Sequence, residues 1–443
     1  MARFEPLTGK LREAAQLATA PGNLLEGAVR SGKTVASLVI WLWWMRTLPP
    51  GEVAMVGKTQ HTLKRNILDL LVAMIGPNRC KVNMGTGTAT ILGRTVHLLS
   101  ANDESAVAKI QGMTLVAWYG DELPTWPESV FNMLRTRCSV PGARWLATGN
   151  PASSTHYLKT EWIDKAQFHL TRDGEAVHRY GDDAKECNVF SFKIRDNPWL
   201  AEDFIRRLER EYVGMFYRRM ILGEWCMAEG AIFSEWDEDR NVMPRAKMPA
   251  MTEWLANGVD YGTSNPFHTA MLALGPDLRA PGEHALYVTD EWRWDSRAQR
   301  RQLSDVEYSE RHRRWLRDIS LPGTHGDVRG IMPEMVAVDP SAASYRVQLY
   351  RDGLPTVAAD NEVLDSLRVA GSLIAAGKII VAEECPALLG EIPGYVWDDK
   401  AAKLGREEPV KAADHGIDAA LRYAPYSSRH LWHDAIWEPA GAA

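Results

Sequence analysis

The sequence predicts an α/β protein made of two wound sheets in series. Short apolar strand signals alternate with helical stretches over residues 1–195. A glycine-rich turn, Gly27-Ala-Val-Arg-Ser-Gly-Lys-Thr34, separates the first strand signal from a helical run. Strand signals return from Gly258, and acidic residues stand at the ends of several of them.

Each element follows from local pattern. Residues 23–26 read as the end of a strand and 34–45 as the helix that follows it. Residues 52–57, 95–99, 115–119 and 145–148 are short apolar strands, and 60–75 has helical spacing. Asp196-Asn-Pro198 breaks the chain, because a proline disfavours helix in the residue before it. Residues 200–222 then read as one arginine-rich amphipathic helix, within a connecting subdomain over 196–245 that Pro244 and Pro249 close. A second α/β domain is expected over 246–426, and 427–443 as a loosely held tail.

Bulk properties bound the function. A chain of 443 residues gives two or three domains rather than one core. Hydrophobic content of 45% and charged content of 24% are ordinary for a globular chain. The longest apolar run, residues 35–45, is too short to span a bilayer, and no signal peptide opens the sequence, so no membrane role is expected. Five scattered cysteines without metal-ligand spacing argue against a disulfide framework and for a reducing cytoplasm. A net charge of −6 excludes a wholesale basic nucleic-acid binder but leaves room for a local basic groove. The seventeen tryptophans read as core and interface fillers rather than base-stacking platforms.

The turn at 27–34 has the full Gly-x4-Gly-Lys-Thr spacing of a phosphate-cradling P-loop. Backbone N–H groups and a helix N-terminus face the β-phosphate in such a loop. Gly27 and Gly32 permit the tight backbone, Lys33 reaches the β/γ-phosphates and Thr34 holds Mg²⁺. The strand at 115–120 runs into Asp121 and Glu122. There Asp121 would complete the Mg²⁺ shell and Glu122 would orient or deprotonate the attacking water. Asn150, in Thr148-Gly-Asn-Pro151, can sense the γ-phosphate, although a plain Asn-Pro turn explains it equally. Arg30 lies inside the loop, where it can stabilise developing charge as an arginine finger does. Lys109, Arg135 and Arg137 are alternative fingers or plain surface charges. The expected ATP contact is Gly27, Arg30, Ser31, Gly32, Lys33, Thr34, Asp121 and Asn150.

Lys109-Ile-Gln-Gly112 leading into Tyr119-Gly-Asp-Glu122 resembles the large subunit of tailed-bacteriophage terminases. So do Thr148-Gly-Asn-Pro151 with His156-Tyr157, Asp196-Asn-Pro-Trp-Leu200, and Tyr217 through Gly223-Glu-Trp225 to Glu229-Gly230. The segments occur in the family's order and cover nearly the whole chain. The resemblance implies an additional-strand-type ATPase that drives double-stranded DNA into a procapsid, joined to a nuclease that cuts concatemers. It also implies the small terminase subunit and the procapsid portal protein as partners. A homo-oligomeric ring is expected during packaging, and a monomer in solution is compatible with that. The place of work would be the host bacterial cytoplasm, with transient docking on the procapsid. One departure is Arg30, since many members carry the loop arginine one position earlier.

The second half offers acids in the order a ribonuclease-H-like nuclease uses them: first strand, later strand, C-terminal helix. Asp260 lies in Gly258-Val-Asp-Tyr-Gly262, Asp339 ends Met335-Val-Ala-Val-Asp339, and Asp414-His-Gly-Ile-Asp418 opens a helix. Two-metal nucleases converge such carboxylates on cations roughly 3.5–4 Å apart. Asp260, Asp339 and Asp418 match the family's acidic positions and are expected to be catalytic. Asp414 and His415 stand where some relatives place a further acid or histidine, touching metal or water. Oxygen ligands favour Mg²⁺ or Mn²⁺ over zinc. Taken singly, each acid is equally a turn or cap residue.

Two arginine groups are candidate DNA-backbone contacts or simply salt-bridged helix faces: Arg293, Arg297, Arg300, Arg301, Arg311, Arg313, Arg314 and Arg317, and Arg206, Arg207, Arg210, Arg218 and Arg219. The competing reading is a helicase- or repair-type DNA-dependent ATPase with a fused nuclease or DNA-binding domain. It calls for further helicase motifs that the sequence lacks.

Overall fold

A computed structural model describes residues 5–262, 265–324, 328–403 and 406–438. The described residues divide into two compact units. The first draws on Met1–Leu208, Met215–Met227 and Lys403–Arg406, and the second on Glu209–Gly214, Ala228–Ala402 and Glu407–Ala443.

The first unit holds ten strands: β1 Gly22–Gly27, β2 Glu52–Gly57, β3 Cys80–Asn83, β4 Thr88–Ile91, β5 Arg94–Ser100, β6 Leu115–Gly120, β7 Arg144–Gly149, β8 Ala166–Leu170, β9 Ala176–His178 and β10 Lys185–Phe192. They form one sheet in the order β3-β4-β5-β2-β6-β7-β1-β10-β8-β9. The strands from β5 to β8 in that order run parallel, and antiparallel pairs close both edges. Every residue of β1 and β6 is buried, as a parallel sheet covered on both faces requires. The helix Lys33–Thr47 contributes Trp41 and Trp44 to one face. On the other, Trp118 stacks on Trp145 with ring centroids 5.3 Å apart, in a cluster that includes Phe131 and Trp162. Residues 60–75 are helical throughout, with a π segment Lys64–Leu68 between Gln60–Leu63 and Asp69–Ile75.

The second unit has seven strands: β11 Val242–Met243, β12 Glu253–Asp260, β13 Phe267–Pro276, β14 His284–Trp294, β15 Met335–Val338, β16 Thr356–Ala358 and β17 Ile379–Ala382. Their order is β11-β17-β14-β13-β12-β15-β16. β12, β13 and β14 pair antiparallel, and the remaining pairs are parallel. The helical segment Asp418–Tyr423 lies directly on β12. A Cβ at Gly258 would stand 1.9 Å from the Ala419 carbonyl oxygen, so only glycine allows that approach.

Two expectations are corrected. Residues 200–222 are not one helix but two, Glu202–Glu211 and Gly214–Met220. Gly214 takes a φ of +53°, a left-handed conformation through which a right-handed helix does not continue. The expected loose tail contains a helix, Arg429–Trp437, because Trp432 and Ile436 are buried and hold it down. Among the described residues no helix is long and apolar enough to cross a membrane, and all five cysteines are free thiols.

Candidate functional sites

The loop after β1 is held from its outside. A Cβ at Gly27 would meet the Phe192 carbonyl oxygen at 2.1 Å. Ala28 N–H donates to that same carbonyl (2.8 Å), and Val29 N–H donates to Met220 O (2.8 Å). Arg30 and Gly32 both take left-handed φ values, +56° and +87°, before the helix Lys33–Thr47 begins. Arg30 is exposed, and Thr34 lies in the first helical turn. Lys33 is buried, and its Nζ donates to Ala28 O (2.9 Å) and to Asn150 Oδ1 (2.7 Å). Burial lowers its pKa to about 8, opposed by the carboxylates of Glu26, Asp121 and Glu122. The Ser31 hydroxyl is buried without a hydrogen-bond partner. An orphan hydroxyl and an ammonium resting on its own loop carbonyl both suit an incoming phosphate.

The acids arrive from β6, two strands away from β1, with β7 between them. Asp121 is buried and accepts from Thr148 Oγ1 on β7 (3.1 Å). Burial raises its pKa against that hydrogen bond. Glu122 is half-buried and its φ is +56°, a strained backbone for a non-glycine residue that costs about 1–3 kcal/mol. Burial, then the neighbouring Asp121 charge, raises its pKa. One strand end therefore touches both halves of the site: Thr148 at Asp121 and Asn150 at Lys33.

In the second unit, Asp260 ends β12 and Asp339 follows β15 on the adjacent parallel strand. Asp339 N–H donates to Val259 O (3.0 Å), which sets the two acids side by side. His415 Nδ1 and Asp260 Oδ2 share a hydrogen bond of 2.6 Å. Asp339 Oδ1 accepts from Ser341 N–H (2.8 Å), and Asp418 pairs with Arg422 one turn on. Burial raises Asp260, opposed by His415 and reinforced by Asp339 and Asp414. Asp418 is pushed up to about 7, chiefly by burial, with Asp260 and Asp414 adding to it. His415 is raised first by its hydrogen bond to Asp260. Asp414 precedes the helix start without capping it through its side chain. Among the described residues, no three His, Cys, Asp or Glu side chains already surround a common point as metal ligands. Asp260 is committed to His415, and Asp418 to Arg422. The donor set, carboxylate oxygens that disfavour one another's ionisation, still fits a hard divalent cation.

The family model described as terminase large subunit, T4likevirus-type, N-terminal, matches residues 24–240. The large terminase of a thermophilic bacteriophage is 31% identical, over 95% of this chain and 99% of its own, with a TM-score of 0.79. The chain belongs to the bacteriophage large terminases. The same phage's large terminase in complex with ADP matches with the same identity, coverage and TM-score. Its complex with ATP-gamma-S matches at 31% identity, the same coverage and a TM-score of 0.78. No curated protein matches the sequence.

This large terminase also carries site residues that sequence reasoning passed over. Glu26, the penultimate residue of β1, is buried, and burial raises its pKa. It accepts from Ser191 and from Trp225 Nε1 (3.0 Å). The signal was a glutamate directly after the apolar pair Leu24-Leu25 and just before the glycine-rich turn. Of the alternative fingers, Arg135 lies over the Trp162 ring and Arg137 donates to Gln111 O (2.9 Å). The arginine-rich stretches are largely engaged locally: Arg301 with Glu307, Arg313 with Asp352, Arg314 with Glu310, Arg311 over Trp294, Arg206 with Asp203, and Arg219 with Cys226 O.

Proposed function

We propose that this large terminase is an ATP-hydrolysing motor that translocates double-stranded phage DNA into the procapsid, and a metal-dependent endonuclease that cuts concatemeric DNA. The carrying observation is the pairing of Lys33 with Asn150 on one side of β7 and of Asp121 with Thr148 on the other. The interposed β7 supports the additional-strand reading of the ATPase. The complexes of the thermophilic-phage relative with ADP and ATP-gamma-S support nucleotide as its ligand.

In the motor, Lys33 exchanges the Ala28 carbonyl and Asn150 for the β/γ-phosphates, and the N–H groups of the loop line the same phosphates. Thr34 and Asp121 would hold Mg²⁺, which supplies charge neutralisation at the phosphates when bound. Glu122, with its raised pKa, takes a proton from the attacking water more readily than an ordinary glutamate. Arg30, exposed at the loop tip, is free to face the γ-phosphate.

The nuclease reading rests on the second sheet. The order β14-β13-β12-β15-β16, with the first three antiparallel and the last two added in parallel, supports a ribonuclease-H-like core. Asp260, Asp339, Asp414, His415 and Asp418 would hold Mg²⁺ or Mn²⁺, which supplies an activated water and stabilises the leaving oxygen. The protein groups orient one another: His415 holds Asp260, and Arg422 holds Asp418. Partners are DNA, the small terminase subunit and the portal protein, with a homo-oligomeric ring formed on the procapsid in the host cytoplasm.

Plasmid cleavage with Mn²⁺ or Mg²⁺, run beside ATPase assays, tests the reading. Asp260→Ala and Asp339→Ala should each abolish cutting and leave hydrolysis intact. Normal cutting by both variants would leave a DNA-dependent ATPase with a structural second unit.

A further inference from the structure

We propose that Glu391 is a positioning residue for the nuclease acids, fixing the backbone of residues 415–417 so that His415 and Asp418 keep their places beside Asp260. This rests on the nuclease reading above.

Glu391 ends the helix Pro386–Glu391, and its side chain is only 4% exposed. Its Oε2 accepts from Gly416 N–H (2.6 Å) and Ile417 N–H (3.2 Å), and its Oε1 accepts from Arg293 Nη1 (2.9 Å). The first N–H groups of a helix have no partner within it, so this carboxylate takes the place of a cap. The contact is as close as the backbone allows. A Cβ at Gly416 would stand 2.9 Å from Glu391 Oε2, 3.0 Å from His268 Cε1 and 3.1 Å from Leu388 Cα.

The support continues beneath the site. His268 is fully buried on β13, directly opposite Asp260 in the strand register. Its Nε2 lies 3.1 Å from Glu291 Oε2, without the alignment of a hydrogen bond. Glu291, on β14, accepts from Ala387 N–H (2.7 Å) and Leu388 N–H (3.0 Å). Two buried glutamates thus connect the sheet to the acids in series. Glu291 anchors the start of the helix that carries Glu391, and Glu391 anchors the helix start that carries His415. Neither touches the reacting groups. Their effect would pass through the 2.6 Å contact between His415 and Asp260.

A cap that only stabilises the fold and a residue that positions the acids predict different results. The test uses the full chain with Glu391→Gln and, as a second variant, Arg293→Gln, which loosens Oε1 from a partly exposed partner. Mn²⁺ binding is read by titration calorimetry, plasmid cleavage by kcat and KM, and integrity by ATPase rate and thermal melting. Positioning predicts about tenfold weaker Mn²⁺ binding and a matching fall in kcat for Glu391→Gln. KM for DNA and the ATPase rate should be unchanged, and raised Mn²⁺ should restore cutting. Arg293→Gln should show a smaller loss in the same direction, and it decides the matter if Glu391→Gln does not fold. A lower melting temperature with wild-type Mn²⁺ affinity and kcat would overturn the proposal while leaving the nuclease intact. Wild-type protein that binds no Mn²⁺ and is indifferent to Asp339→Asn would remove the nuclease reading and this proposal with it.

Discussion

The side-chain amide of Asn197 donates a 2.7 Å hydrogen bond to the backbone carbonyl of Arg30, a residue 167 positions earlier in the chain. Arg30 is the one non-glycine residue of the loop at 27–34 with a positive φ, and it precedes the N-cap Gly32, so its carbonyl lies outside the following helix. The Asp-Asn-Pro break therefore does more than end the first domain's strand pattern, because it supplies the partner that a strained loop residue needs.

Asn197→Ala should weaken nucleotide binding without touching any phosphate contact. One lost hydrogen bond of about 1 kcal/mol corresponds to roughly fivefold in affinity. A fluorescent ATP analogue titrated into both proteins measures it, and equal affinities would count against the loop-bracing role.

Glu122→Gln should retain ATP binding and lose hydrolysis by about 10²-fold or more, since a general base contributes on that scale. Phosphate release under saturating ATP reads the loss. Survival of turnover would move the hydrolytic role to another group.

ATP affinity should fall as pH rises through about 8. Lys33 has its pKa lowered to about 8 by burial, so the free protein progressively loses the ammonium above that value, and binding must then restore the proton. The sign for folding is opposite. Unfolded Lys33 binds more protons between its lowered and ordinary pKa, so this group adds stability as pH rises across that window. Nucleotide titrations at pH 7 and pH 9 check the first statement. A flat profile would mean that Lys33 does not bear the phosphate charge.

Gly258→Ala should destabilise the second unit selectively. The added methyl would stand 1.9 Å from Ala419 O, and overpacking of this kind costs about 1–3 kcal/mol. Differential scanning calorimetry should show one transition lowered, with cleavage impaired and ATPase preserved. An unshifted thermogram would mean that β12 and the helix on it can separate freely.

What the sequence made legible was what sequence-local spacing encodes. The Gly-x4-Gly-Lys-Thr run sits where a strand turns into a helix, and Asp121, Asp260 and Asp339 stand at strand ends, because a short continuous apolar run that meets a carboxylate announces where a buried strand stops. Glu26 was not legible, since its meaning depends on Ser191 and Trp225 from far along the chain. Glu391 was hidden for the same reason: nothing near it in sequence indicates that Gly416 will lie against it. The helix read over 200–222 failed at Gly214, where amphipathic spacing persists across a residue whose backbone leaves the helical region. The tail failed because nothing local to residues 427–443 shows that Trp432 and Ile436 will be buried, and those two residues decide whether it packs.

The position of β7 sets the width of the ATPase site. Neighbouring strands lie about 4.8 Å apart, so one interposed strand separates the ends of β1 and β6 by roughly 9.6 Å. A single spacing would press Lys33 against the carboxylates and leave an ion pair in place of the gap that the proposed hydrolysis needs. With β7 as the spacer, the gap is fixed by backbone hydrogen bonds rather than by side chains. Substitutions around the site can then alter its chemistry without altering its gauge.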